Sequence, residues 1–331
     1  MKALLLAGGL GTRLRPLTFT RPKHLLPIVN RPHIDHVLDL LQLHGVDEAV
    51  LTTSYLAEAF NETVVSARAR GLAVQVTHES RPLGTAGAIR HAASVLGAET
   101  FLAMNADVLT DADLGALIDL HRDRDARMTL LLTPVDDPSS YGVVPTYDDG
   151  LVQGFVEKPP MAEARTNLIN AGVYVMEPEV LERIPEGETW SAERQLFPEL
   201  VDAKEMYAFH LDAYWMDIGT PQKYLRANLD ALQGAYRSDV ADHLTRTGAL
   251  LGRDVLVADG ASIHTSSVGD ASRIGAGARI EGSVLLPGVV VGDGASVSGC
   301  ILGAGANVDG GTDLLGVTVA DGDSIGGQEE L

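Results

Sequence analysis

The stretch Leu6-Ala7-Gly8-Gly9-Leu10-Gly11-Thr12-Arg13-Leu14-Arg15-Pro16-Leu17-Thr18 follows directly on an apolar, strand-like run, Lys2 to Leu6, and leads into Arg21-Pro22-Lys23. Glycines at the end of a strand let the backbone approach a polyanion closely and turn its N–H groups toward phosphate oxygens. Arg13, Arg15 and Lys23 supply cationic donors beside that nest. The combination reads as a nucleoside triphosphate site. It lacks the G-x-x-x-x-G-K-[ST] spacing of a Walker loop, and G-G-x-G followed by cations is not a dinucleotide fingerprint.

Outward from this loop, short apolar runs alternate with helical patterns. The candidate strands are Lys2–Leu6, Ala49–Thr53, Ala73–Thr77, Thr100–Met104 and Met128–Leu132. Apolar residues recur every three or four positions in Ile34–His44 and Asp111–Arg122, which predicts helices. Short apolar strands between helices imply a doubly wound, mostly parallel α/β sheet, Rossmann-like, with ligands at the carboxyl ends of the strands. Gly8-Gly9-Leu10-Gly11 ends one such strand and Asn105-Ala106-Asp107 another. Pro221–Arg237 is predicted as a helix joining this domain, residues 1–235, to a second one, residues 245–331.

In that second part helical periodicity disappears. Aliphatic residues recur at six-residue spacing, Leu251, Val257 and Ile263, then Val268, Ile274 and Ile280, on through Leu302, Val308 and Leu314. One inward aliphatic per hexad between Gly, Ala, Ser and Asp is the pattern of a parallel β-helix.

With 331 residues, 45% hydrophobic and 21% charged, the chain is an ordinary globular protein with room for two cores. A formal charge of −20 argues against a nucleic-acid surface, so a phosphate site must be locally positive within an acidic molecule. The single cysteine, Cys300, excludes an intrachain disulfide framework and fits a reducing compartment. No stretch approaches a membrane span and no signal cleavage site follows Met1, so a cytoplasmic protein without a membrane partner is expected. Among the ten histidines no H-x-x-x-H or Cys/His cluster suggests zinc. His24 lies beside Lys23; His91 and His121 read as helix-surface residues, and Trp215 and Phe155 as packing groups.

The loop, over Leu4 to Pro32, closely resembles the signature of the sugar-1-phosphate nucleotidylyltransferases, or NDP-sugar pyrophosphorylases. That resemblance implies attack by a sugar-1-phosphate on the α-phosphorus of a nucleoside triphosphate, with pyrophosphate leaving. Such transfer needs positioning and charge neutralisation of two polyanions rather than a covalent nucleophile. It implies Leu6, Ala7, Gly8, Gly9, Gly11 and Thr12 at the nucleotide, Arg13 on the departing pyrophosphate and Lys23 near the α-phosphate. Asp107, and Asp217 in Trp215-Met216-Asp217-Ile218-Gly219, match the family's Mg²⁺-binding aspartates. Phe155-Val156-Glu157-Lys158-Pro159 resembles its E-K-P motif, with Lys158 on the sugar phosphate and Glu157 on a hydroxyl. Asn170 and Gly172, in Asn170-Ala171-Gly172-Val173-Tyr174, and Gly142, in Tyr141-Gly142-Val143, match further sugar-side elements. The C-terminal repeat resembles the left-handed hexapeptide β-helix of some members, an assembly or regulatory module that makes a homo-oligomer the expectation.

Base recognition is expected in Glu79-Ser80-Arg81-Pro82-Leu83-Gly84-Thr85, with Glu79, Pro82, Gly84 and Thr85 at the nucleotide. Relatives that transfer thymidylyl or uridylyl groups typically carry Gln where this chain has Glu79. A carboxylate only accepts, and guanine offers two adjacent donors, N1–H and N2–H₂. The string resembles mannose-1-phosphate guanylyltransferases, which implies GTP and mannose-1-phosphate as substrates. A glucose-1-phosphate thymidylyltransferase, a guanylyltransferase for another sugar phosphate such as a heptose, and a non-catalytic nucleotide-sugar-binding subunit remain open. An acyltransferase β-helix is disfavoured, because the repeat carries only His264 as a candidate base.

Overall fold

A computed structural model of the chain describes residues 1–238 and 240–326. Contacts divide it into two compact units, Met1–Gly9 with Ile34–Trp215, and Leu10–His33 with Met216–Leu331.

The first unit is built on nine strands: β1 (Lys2–Leu6), β2 (Glu48–Thr53), β3 (Ala73–His78), β4 (Phe101–Asn105), β5 (Met128–Pro134), β6 (Gly142–Val143), β7 (Val156–Glu157), β8 (Leu168–Met176) and β9 (Met206–His210). They form one sheet in the order β7-β6-β8-β4-β1-β2-β3, with β5 pairing β8 and β9. The side around β1 is parallel, as expected. The other side is not, because β8 runs antiparallel to β4, β5 and β6. A strand covered on both faces is an apolar run whichever way it points, so direction was not legible. Leu4, Leu5, Val50, Leu102, Met104 and Tyr174 are buried in this core.

Helix α1 (His33–Leu43) buries Ile34, Leu38 and Leu41, three or four residues apart. Helix α2 (Leu114–Asp123) starts later than Asp111 because Asp113 is its N-cap, its carboxylate accepting from Ala116 N at 3.0 Å. His121 is only 2% exposed, which corrects its reading as a helix-surface residue. It shares the buried face of Leu117 and Ile118. Its Nδ1 pairs with Thr129 Oγ1 at 2.8 Å and its Nε2 with Glu177 Oε1 at 3.0 Å.

In the second unit, helix α3 (Pro221–Leu232) begins at an N-cap, Thr220, with Pro221 in its first turn. It stops short of the expected Arg237, and Gly234 follows at φ +77°. Among the described residues the C-terminal repeat is a β-helix of three parallel sheets with five, five and four strands. Each coil advances 17 residues. Leu251, Val257 and Ile263 stand six apart, whereas Ile263 to Val268 spans five, so one corner is a residue shorter than a strict hexad. In-register stacking of Leu251, Val268, Leu285, Leu302 and Val319 fills the interior.

On the first sheet the alternate residues Ser267, Val284 and Ile301 are buried as well. Residues 10–33 belong to this unit for a visible reason. Asn30 Nδ2 donates to Val268 O at 2.9 Å and Ser267 Oγ donates to Asn30 Oδ1 at 2.8 Å. Val29 N donates to Asn228 Oδ1 of α3 at 2.8 Å. The first strand of the repeat is Leu250–Leu251, and contacts draw the glycine-loop segment into the same unit.

Candidate functional site

In the first unit the expected residues gather at the carboxyl ends of adjacent parallel strands. Leu6 is in register with Thr52 on one side and Asn105 on the other. The ladder continues past the strands, with Ala7 N donating to Thr52 O at 2.9 Å and Ala106 N to Leu6 O at 3.1 Å. Gly8 and Asp107 therefore leave neighbouring strands at the same level. A Cβ on Gly8 or Gly9 would meet no protein atom within 4 Å, and Gly9 sits at φ +96°. That is backbone a polyanion can approach.

Glu79 follows β3 at the same end, its N–H on Thr53 O at 3.0 Å. It is only 4% exposed, so it does not point to solvent. Its Oε1 accepts from Thr52 Oγ1 at 3.1 Å and its Oε2 from Leu83 N at 3.0 Å. The carboxylate thus fastens the loop that carries Pro82 and Gly84 onto β2. Helix α4 (Gly84–His91) follows, and the N–H groups of Ala86 and Gly87 both donate to Trp190 O. Thr85 Oγ1 reaches Glu193 at 3.3 Å.

The sugar-side motifs sit on β6, β7 and β8. Glu157 is paired with Gly142, where a Cβ would lie 2.3 Å from the Phe155 ring. Any larger residue there would have to displace that ring. Lys158 Nζ pairs with Glu157 Oε1 at 3.1 Å, and Lys158 adopts φ +52°, a conformation a lysine rarely holds without surrounding constraint. Its N–H is tied to Tyr141 O at 2.9 Å. On β8 the register shifts between Asn170 and Tyr174. Asn170 Oδ1 accepts from Gly172 N at 2.9 Å and its Nδ2 donates to Tyr174 Oη at 2.9 Å. Gly172 stands at φ +73°, where a Cβ would come 2.6 Å from Asn105 Nδ2, so its backbone packs directly on the residue that precedes Ala106-Asp107. Burial pushes the Tyr174 phenol well above its usual range, and the Glu193 carboxylate pushes the same way, followed by Glu157 and Asp107. Trp215 and Phe155 are packing groups as expected. The indole donates to Ala171 O at 2.8 Å, and Phe155 meets Phe197 edge-on at 5.0 Å.

In the second unit Gly11 is left-handed, φ +60°, and opens a short turn, Thr12–Leu14. A Cβ there would lie 3.4 Å from Lys23 Cβ, so the loop folds Lys23 back beside Gly11. Arg13 and Asp217 meet at Gly219, whose missing Cβ would be 2.9 Å from Arg13 Nη2 and 3.1 Å from Asp217 Oδ2. Lys223, in the first turn of α3, forms an ion pair with Asp217 Oδ1. Sequence reasoning missed Lys223; its position three residues past an N-cap gave no sign of the pairing. Arg15, named as a third loop cation, instead lies over the Phe19 ring at 5.2 Å, and His24 is fully buried. Among the described residues no three His, Cys, Asp or Glu side chains form a metal-binding group. A set of one or two carboxylates suits Mg²⁺, which takes its remaining ligands from phosphates and water.

The model of the family described as "Nucleotidyl transferase" matches residues 2–234, and that of "GlmU-like, C-terminal hexapeptide" matches residues 238–325. The chain belongs to the nucleotidyl transferase family and ends in a left-handed, hexapeptide-type β-helix. It is 38% identical over 311 residues to the mannose-1-phosphate guanylyltransferase of Mycobacterium tuberculosis, covering 91% of this chain and 82% of that one. It is 37% identical over 314 residues to the mannose-1-phosphate guanyltransferase of Debaryomyces hansenii, with 91% and 86% covered. The crystal structure of HddC from Yersinia pseudotuberculosis complexed with GMP-PN is similar at a TM-score of 0.58 and 30% identity, over 69% of this chain and 97% of that one.

Proposed function

We propose that this enzyme transfers the guanylyl group of GTP to mannose-1-phosphate, giving GDP-mannose and pyrophosphate. A phosphate oxygen of the sugar-1-phosphate forms a bond to the α-phosphorus, and the bond from that phosphorus to the bridging β-oxygen breaks. The observation that carries the reading is the meeting of Arg13 and Asp217 at Gly219, from distant parts of a chain alike over 91% of its length to a named mannose-1-phosphate guanylyltransferase.

Each assigned group has a part in this scheme. Gly8, Gly9, Gly11 and Thr12 present backbone to the triphosphate, flanked by Leu6 and Ala7. Arg13 stabilises charge on the departing pyrophosphate and Lys23 the α-phosphate; lost contacts of this type typically cost about 3–4 kcal/mol of barrier. Lys158 holds the sugar phosphate, while Glu157, Asn170, Gly172 and Gly142 shape the sugar side. Glu79 reads the guanine edge from the loop holding Pro82, Gly84 and Thr85. Asp107 and Asp217 are the groups that would hold Mg²⁺, which supplies charge neutralisation of the phosphates when bound. Lys223, through its ion pair, neutralises Asp217.

Guanine as the base is further supported by the similarity to a fold-mate solved with GMP-PN. No helix among the described residues is long and apolar enough to cross a membrane. The reading includes a homo-oligomer, which light scattering tests. The deciding experiment is pyrophosphate release across GTP, dTTP, UTP, ATP and CTP with mannose-1-phosphate, glucose-1-phosphate and a heptose-1-phosphate. GTP with mannose-1-phosphate should give the highest kcat/KM. A dTTP and glucose-1-phosphate maximum would replace the reading by a thymidylyltransferase, and release from none by a binding subunit.

A further inference from the structure

Along one corner of the β-helix, aspartates perform a repeated structural task. Asp270 Oδ1 accepts from Arg253 N at 2.8 Å and Asp321 Oδ1 from Ala304 N at 2.7 Å, each reaching back one coil of 17 residues. On the next corner Asp293 Oδ1 does the same for Ala276 N at 2.7 Å. The second oxygen distinguishes these residues. In Asp270 it turns to the Arg253 side chain of its own corner, at 2.9 and 2.6 Å, in an exposed pair. In Asp321 it leaves the solenoid and accepts from Thr20 Oγ1 at 2.5 Å and from Arg21 Nη2 at 2.6 Å.

Thr20 and Arg21 stand in the glycine-loop segment, between Arg13 and Lys23. The segment is closed upon itself by Thr18 Oγ1, which donates to Gly11 O at 2.8 Å, and by the approach of Lys23 Cβ to Gly11. Its far limb is fastened near the start of the β-helix by Asn30. The Arg21–Asp321 pair is 25% and 15% exposed, so it is shielded more than a surface ion pair and is charge-assisted at both atoms. Moving Asp321 would move the backbone two residues before Lys23.

We propose that Asp321 is a positioning residue for the transfer reaction, and that through its Oδ2 the last described coil of the β-helix sets the placement of the Arg13–Lys23 segment. The β-helix then acts on catalysis within one chain, in addition to any role in assembly. The inference rests on the triphosphate role proposed above for that segment.

Asp321→Asn keeps an oxygen for Ala304 N and replaces the loop-facing oxygen by an NH₂ group that cannot accept from Arg21. Asp270→Asn makes the same change in the same corner column, at a carboxylate that bonds Arg253 and no residue of the segment, and serves as the control. The expected result for Asp321→Asn is a roughly tenfold fall in kcat/KM for GTP, the equivalent of one charge-assisted hydrogen bond. KM for mannose-1-phosphate should be unchanged, and amide hydrogen exchange in residues 16–23 about tenfold faster. Asp270→Asn should show neither change. Equal kinetics in the two variants, or unchanged exchange in Asp321→Asn, would overturn the proposal, as would faster exchange with wild-type kinetics. If the wild-type chain transfers nothing from any triphosphate, the proposed reaction fails separately. GTP titration then decides the clamp, weaker binding in Asp321→Asn supporting it and equal binding overturning it.

Discussion

Glu79→Gln separates two roles that one carboxylate can play. In the structure both oxygens are engaged, by the Thr52 hydroxyl at 3.1 Å and by Leu83 N–H at 3.0 Å, in a side chain only 4% exposed. Glutamine keeps the shape and one acceptor oxygen, so its NH₂ must face one of these donors. Facing Leu83 N–H leaves two donors opposed in a buried site, at a cost of about 1–3 kcal/mol. Facing Thr52 is cheaper, because a hydroxyl can rotate and accept, so the loss falls near the lower end, about 1 kcal/mol. For a domain of this size that lowers Tm by roughly 2–4 °C. Selectivity is a separate quantity. Each carboxylate oxygen has a second lone-pair direction, able to accept from guanine N1–H and N2–H₂, and the amide offers one acceptor fewer. A lost bond of about 1.4 kcal/mol is a tenfold fall in preference for GTP over dTTP. The assays are thermal unfolding of both proteins and a one-tube competition between GTP and dTTP. An unchanged Tm would refute the fastening argument. A lowered Tm with an unchanged GTP/dTTP ratio would refute the guanine contact and leave Glu79 as a loop fastener, and a wild type that prefers dTTP would refute the base assignment outright.

Arg13→Ala should lower kcat by about two to three orders of magnitude, the typical loss for a preorganised contact to developing charge, with an unchanged circular dichroism spectrum. Wild-type turnover in that variant would remove the triphosphate assignment. Chelation should abolish activity and Mg²⁺ restore it, and Asp217→Asn should shift the Mg²⁺ titration to higher concentration, since a neutral oxygen replaces a charged ligand; full activity without divalent metal sinks this. Burial holds the pKa of His121 below its ordinary 6.5, although Glu177 pulls the other way. Below pH 6.5 the unfolded chain therefore binds more protons than the folded one. The stability that His121 contributes is complete above that pH and is lost as pH falls through the lowered folded value. His121→Asn should flatten the dependence of Tm on pH below about 6.5; an equally steep profile in the variant would show that other groups carry it.

Periodicity and local motif make much of this protein legible in its sequence. One inward aliphatic per hexad demanded a β-helix, because a six-residue repeat of small and aliphatic residues has no helical face to bury. A strand running into Gly8-Gly9-Leu10-Gly11 and then into cations demanded a polyanion at its end. Those signals lie within a few residues of one another, where backbone geometry alone relates them. Other features came only from tertiary structure. Nothing in the spacing of Thr20, Arg21 and Asp321 says that they meet, or that Lys223 finds Asp217. Glu79 is expected from the sequence at the nucleotide base, but its burial between two donors, the Thr52 hydroxyl and Leu83 N–H, came only from the fold. His121 reads as a polar residue on a helix, yet it faces inward, since Thr129 and Glu177 satisfy both ring nitrogens. In each case a polar group goes where its partner is, and the partner is brought there by the packing of the whole chain.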